Sequence, residues 1–114
     1  MRKIKFRAWN SETKQFELPL YRGVENLNIN DILMRGAPLI YQQFTGLHDK
    51  NEKEIYEGDV IIEETKYGRC PPRVVAWEQA KCRFASLING LFYSINRKKD
   101  FVIGNIYENP DLFT

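Results

Sequence analysis

Two cysteines, one histidine and no long apolar run leave this 114-residue chain short of what metal binding, nucleophilic catalysis or membrane insertion usually require. Structural zinc takes four ligands, whereas Cys70, Cys82 and His48 make three and no Cys-x-x-Cys pair is present. No structural zinc site is expected. Both thiols read as reduced groups of an intracellular protein. The longest apolar runs are of the order of Val60-Ile61-Ile62 and Phe101-Val102-Ile103, far below the about 20 residues of a membrane-spanning helix. No charged-then-apolar leader opens the chain, so a soluble, cytoplasmic protein without membrane attachment is expected. Glycine is also thinly spread: Gly36, Gly46 and Gly58 stand alone and form no phosphate-cradling fingerprint. No cofactor is expected.

Charge of one sign is lacking too. The net charge is +2 and the sequence pI near 8.5, a milder excess than the pI above about 9 of dedicated nucleic-acid modules. What the chain does have is 13% aromatic residues and 28% charged residues of mixed sign, enough to build one core and too few charges to favour disorder.

The pattern of that core is mainly β. From Lys3 to Trp9 the residues alternate, with Ile4, Phe6 and Ala8 on one side and Lys3, Lys5, Arg7 and Trp9 on the other, the period of a half-buried strand. Asn10 to Lys14 is a polar turn, and Gln15 to Leu20 returns as a second short strand. Between Val24 and Met34, weakly helical spacing competes with three asparagines, giving a short helix or irregular segment. Gly36-Ala37-Pro38 stops it, and Leu39 to Thr45 reads as a strand. Gly58-Asp59 turns the chain into a strand from Val60 to Glu64, and Tyr67-Gly68-Arg69 with Pro71-Pro72 forms a loop. Val74 to Glu78, Cys82 to Leu87 and Leu91 to Ile95 follow at even spacing. Asn89-Gly90 joins the last two as a hairpin turn, because both residues accept positive φ. Phe101 to Tyr107 closes the set, and Pro110 opens a terminal helical turn.

Three blocks also resemble a known family: Phe44-Thr45-Gly46-Leu47, Ile55-Tyr56-Glu57-Gly58-Asp59-Val60 and Ile103-Gly104-Asn105-Ile106-Tyr107-Glu108-Asn109-Pro110. Together with the opening Ile4-Lys5-Phe6-Arg7-Ala8-Trp9, they look like a YopX-type protein. The resemblance implies a bacteriophage or prophage origin, a bacterial cytoplasm and no established biochemical activity. The family usually has glycine where this chain has Glu52, so the turn is expected to place Asn51 or Lys50 in the left-handed region instead. The step Glu57-Gly58-Asp59-Val60 further resembles the opening of SH3-like barrels, a likeness of shape only. The expected architecture is therefore a single domain over 1–114: a small, partly open SH3-like barrel over 46–114, with minor helix, behind an irregular amino-terminal portion over 1–45. The second and third blocks are expected to meet as paired strand ends, with Gly46, Gly58 and Gly104 at special backbone positions.

Candidate chemistry is sparse. Glu64-Thr65-Lys66, with Asp59 or Asp49 upstream, has the spacing of a metal-dependent nuclease fragment, but it reads equally as a solvated hairpin end. His48 with Cys70 or Cys82 carries no cysteine-protease signature. No catalytic residue is assigned, and an enzyme is not expected. A basic strand face of Lys3, Lys5 and Arg7 beside Trp9, with the loop Arg97-Lys98-Lys99, would suit nucleic acid by pairing phosphate contacts with a stacking ring. The same lysines would also serve to keep a β edge from aggregating. Tyr21, Tyr41, Tyr56, Tyr67, Phe92, Tyr93, Phe101, Tyr107 and Phe113 exceed what a small barrel interior holds, which favours contacts with protein. The expected function is a non-enzymatic accessory protein acting as a homo-oligomer or on a host or phage protein, with nucleic-acid binding as the alternative.

Overall fold

The structure, a computed structural model, describes residues 5–17 and 39–113. The chain divides into two compact units, Met1–Gln43 and Phe44–Thr114. The segment from Val24 to Met34, its stop at Gly36-Ala37-Pro38, the strand end from Leu18 to Leu20, Lys3 and Tyr21 lie outside the described residues.

In the first unit, β1 (Phe6–Asn10) pairs antiparallel with β2 (Gln15–Glu17) and with the start of β3 (Leu39–His48). The polar turn between β1 and β2 forms because the Asn10 Oδ1 accepts the amides of Glu12 at 2.9 Å and Thr13 at 3.1 Å. Such a side-chain bond imitates a backbone turn and favours asparagine there. Strand alternation holds, but its outer face is not the solvated one. Trp9 is 4% and Lys5 6% exposed. Trp9 meets Phe16 edge to face at 4.9 Å, while the Arg7 guanidinium lies 4.1 Å over the same ring and its Nε donates to Gln42 Oε1 at 3.0 Å. The cross-strand pair Trp9↔Phe16 explains this: two rings on one face bury more apolar area than a solvated row of cations would.

The second unit holds the end of β3, followed by β4 (Glu54–Tyr56), β5 (Asp59–Thr65), β6 (Gly68–Arg69), β7 (Arg73–Glu78), β8 (Arg83–Ile88), β9 (Leu91–Tyr93) and β10 (Asp100–Asn105). All pairings are antiparallel, and the main sheet runs β10-β5-β7-β8-β9 with β6 folded back on β5. These strands curl into a half-barrel of the SH3-like kind. Val60, Ile61 and Ile62 are all buried because β5 lies between β10 and β7 and is covered on both faces. Ile55, Ile61 and Val75 form the core cluster, with Leu47, Ile95 and Val102 packed against it. Asn89 and Gly90 take φ of 51° and 78° and close the β8–β9 hairpin as read from the sequence.

Several local expectations change: β4 was not expected, β9 ends at Tyr93 and not Ile95, and the last strand runs Asp100–Asn105 and not Phe101 to Tyr107. Strand β8 begins at Arg83, not Cys82, because a 3₁₀ turn over Gln79–Lys81 ends with Cys82 in the left-handed region at φ 48°. The loop around Gly68 contains a two-residue strand, β6, paired with Glu64 and Thr65. Glu52 itself, not Asn51 or Lys50, is left-handed at φ 65°. The Asp49 carboxylate imposes that turn by accepting the amides of Asn51 at 2.8 Å and Lys53 at 2.9 Å, while the Glu52 amide donates to the Asp49 carbonyl at 3.0 Å. No helix among the described residues is long and apolar enough to cross a membrane.

Candidate interaction surface

Buried carboxylates are the first groups to test for chemistry, and in the second unit they hold backbone. Asp49, Asp59 and Asp100 are 4%, 1% and 0% exposed. Besides its own turn, Asp49 accepts the Val102 amide at 2.9 Å. Asp59 Oδ2 accepts the Tyr56 amide at 2.8 Å, and its Oδ1 accepts Asn105 Nδ2 at 3.0 Å. Asp100 Oδ1 pairs with Arg73 Nη2, and Oδ2 accepts the Asn96 amide at 2.8 Å. A carboxylate used twice in this way is matched to its burial.

The Asp59–Asn105 contact also joins two of the sequence blocks, since Asn105 pairs with Asp59 across β5 and β10 and the Ile106 amide donates to Gly58 O at 3.0 Å. Gly58 sits at φ 87° and Gly46 at 86°. At Gly104 a Cβ would come within 2.5 Å of Asn109 Oδ1 and 2.8 Å of Leu112 Cδ1, so close approach requires glycine.

The triplet Glu64-Thr65-Lys66 at the end of β5 forms no metal site. Glu64 and Lys66 are exposed, Glu64 lies 3.9 Å from Arg69, and neither Asp49 nor Asp59 has its carboxylate turned to other work. Among the described residues no group of three or more His, Cys, Asp and Glu side chains could hold a metal. Cys70 and Cys82 are free thiols; Cys82 is exposed, with its Sγ 3.6 Å from Gln79 O.

Two open clefts flank the segment from Ser94 to Asp100. One, of about 650 Å³, is lined by His48, Asp49, Glu52 and the 94–98 stretch. The other, of about 590 Å³, includes Cys70, Arg73, Ile88, Tyr93 and Asp100. His48 and Cys70 thus line different clefts. Arg97, Lys98 and Lys99 are exposed on this segment; Arg97 and Lys98 face the first cleft and Lys99 lies 3.9 Å from Glu63. Lys5 and Arg7, by contrast, belong to the packed face of the first unit. Trp9, expected beside them as a stacking ring, is buried there.

Among the described residues the large apolar side chains that are exposed are Tyr67 at 87%, Leu91 at 59%, Tyr93 at 47%, Trp77 at 40% and Tyr107 at 39%. Tyr56 is buried, and Tyr41, Phe92 and Phe101 are half-buried, so the aromatic excess is only partly a surface. The pairs Trp77↔Phe84, Ser86↔Tyr93 and Ile88↔Leu91 put Trp77, Leu91 and Tyr93 on the same face of β7–β9. Sequence reasoning passed over Trp77 and Leu91. Leu91 left a positional signal, since it alternates with Tyr93 directly after a hairpin turn, whereas Trp77 alternates in phase with the buried Val75 and left none.

The family model described as YopX protein matches residues 5–114, nearly the whole chain. The chain belongs to the YopX family. Among solved structures, this YopX chain is similar to protein EF1440 from Enterococcus faecalis, with 24% sequence identity, a TM-score of 0.66, and coverage of 97% of this chain and 98% of that one. At that identity the likeness concerns the fold. No curated protein matches the YopX chain.

Proposed function

We propose that this YopX-family chain is a non-enzymatic accessory protein of a bacteriophage or prophage, working in the bacterial cytoplasm by binding protein, and first of all further copies of itself. The observation that carries the reading is the exposure of Trp77, Leu91 and Tyr93, which stand at the margin of a face whose centre, Val75, Phe84 and Ser86, is buried, so that large apolar side chains meet water in a chain small enough to need its apolar area inside. Tyrosine and tryptophan suit such contacts because each joins a broad ring to one polar atom. Light scattering on the purified chain at micromolar concentration tests it. A mass above that of one chain is expected, and the mass of a single chain would remove the self-association reading.

A second reading, nucleic-acid binding, draws on the exposed run Arg97-Lys98-Lys99 beside His48 and the cleft. Three cations on one loop give a salt-sensitive, sequence-independent attraction to phosphate. A gel shift of labelled DNA at low salt, lost when the three are changed to glutamine, would support it. No shift at low salt would end it. Incubation of nucleic acid with the protein and magnesium or manganese is expected to leave the substrate intact.

A further inference from the structure

The edge strand β9 lies in a stretch without charge: not one charged residue lies between Arg83 and Arg97, in a chain that is 28% charged. Sheet edges of soluble proteins ordinarily carry charge, proline or a covering loop that discourages pairing. Among the described residues β9 has none of these. Arg83, whose Nη1 donates to Ser94 Oγ at 2.9 Å, is itself paired with Glu78 at 2.7 Å.

We infer that two copies of the chain pair antiparallel along β9, about a two-fold axis at Phe92. This rests on the self-association proposed above and names its surface and register. In a two-residue hairpin the closing pair, Ile88↔Leu91, exchanges backbone hydrogen bonds, and the ladder then alternates. The Tyr93 carbonyl accepts Ser86 Oγ at 3.0 Å, so its backbone turns toward β8. Phe92, one residue back, points its N–H and C=O to the open side. Among the described residues, β9 has no second strand beside it. A two-fold axis there lets each Phe92 N–H donate to the other copy's Phe92 carbonyl, completing the ladder without a register choice.

The same axis places Leu91 of each copy opposite Tyr93 of the other, on one face and in a non-hydrogen-bonded pair, where side chains approach most closely. Two residues that are 59% and 47% exposed thereby cover each other. The next pair outward brings Gly90 opposite Ser94, two small residues that let the backbones meet. An isologous contact sets like segments together, so a charge on β9 would lie opposite or diagonal to a charge of its own sign. The neutrality of the run between Arg83 and Arg97 therefore favours a second copy over an unrelated partner, which would tolerate charge of the opposite sign.

The test uses the full chain and mass measurement by light scattering, with circular dichroism to confirm folding. The wild type is expected at twice the chain mass. The double variants Leu91→Lys/Tyr93→Lys and Leu91→Glu/Tyr93→Glu are each expected at the mass of one chain, and an equal mixture of the two returns to twice that mass. Persistence of the dimer in the lysine double variant would overturn the β9 inference while leaving self-association standing. A mixture that stays monomeric would overturn the register, and a monomeric wild type would remove both readings. Should the double variants fail to fold, Phe92→Pro decides by comparison with Phe92→Ala, since both remove the half-buried ring and only proline removes the outward N–H, which an edge strand tolerates. A folded monomer supports the pairing, and a folded dimer refutes it.

Discussion

The two edges of the second unit's sheet have been treated in opposite ways. At β10 the outward backbone is occupied: Asp49 accepts the Val102 amide, the Lys50 amide donates to Asp100 O at 3.0 Å, and the Lys50 ammonium lies 4.5 Å over the Phe101 ring. At β9 there is a short neutral strand with two exposed apolar side chains. The contrast teaches where stability resides and where the proposed contact would form. Side chains from distant parts of the sequence lock one edge, and substitutions there should register as lost stability. The other contributes little to the fold and is open to contact.

The largest expected effect breaks the locked side. Arg73→Met leaves the fully buried Asp100 carboxylate without its cation, although Arg73 Nη1 also donates to Ser86 Oγ at 2.8 Å. Removing one partner of a buried ion pair costs about 3–5 kcal/mol, to be read as a lowered urea midpoint in tryptophan fluorescence. An unchanged midpoint would mean that Asp100 is not held by this pair. Next comes Gly104→Ala, whose methyl group would press on Asn109 and Leu112. Overpacking of this kind costs about 1–3 kcal/mol, and a neutral result would mean that the terminal 3₁₀ turn over Pro110–Phe113 yields to it. Smaller, and of opposite sign, is Glu52→Gly. Relief of a left-handed backbone, less the entropy glycine adds to the unfolded chain, should stabilise by about 1 kcal/mol. A loss of stability would show that the Glu52 side chain contributes a contact that outweighs the strain. Smallest is Leu91→Lys, expected within about 0.5 kcal/mol of wild type in a unit without its partner. A large loss would show β9 to be part of the core, and the comparison would fail.

Much of the locked edge was legible in the sequence. The blocks around Gly58-Asp59 and Gly104-Asn105 do meet as strand ends, and Gly46, Gly58 and Gly104 do mark left-handed backbone or close approach. Glycine, asparagine and aspartate act over a few residues, so their consequences are local and readable. The Asn89-Gly90 turn was readable for the same reason. Less legible was anything decided across strands. Period two placed Lys5, Arg7 and Trp9 on one face, but only the pairing of Trp9 with Phe16 determines that this face is packed. Glu52 in the left-handed region follows from the Asp49 carboxylate, and helix or turn propensity alone favours Asn51. As for the candidate surface, the basic loop was found directly from its composition. Leu91 was missed because its exposure depends on which strand stands at the edge, a property of the fold, and Trp77 because it shares its phase on the interior strand β7 with the buried Val75.

The Asp49 and Asp59 contacts have a consequence for how the protein is made. Asp49 reaches Val102 across 53 residues, and Asp59 reaches Asn105 across 46. As the chain leaves the ribosome, strands β3 to β9 emerge before the segment that satisfies those carboxylates does. Closure of the half-barrel therefore waits for its last strand, and contacts so distant in sequence slow that closure further. The neutral hairpin at Asn89-Gly90 is then displayed on an unfinished sheet, where the proposed pairing of β9 would compete in time with completion of each copy's own fold.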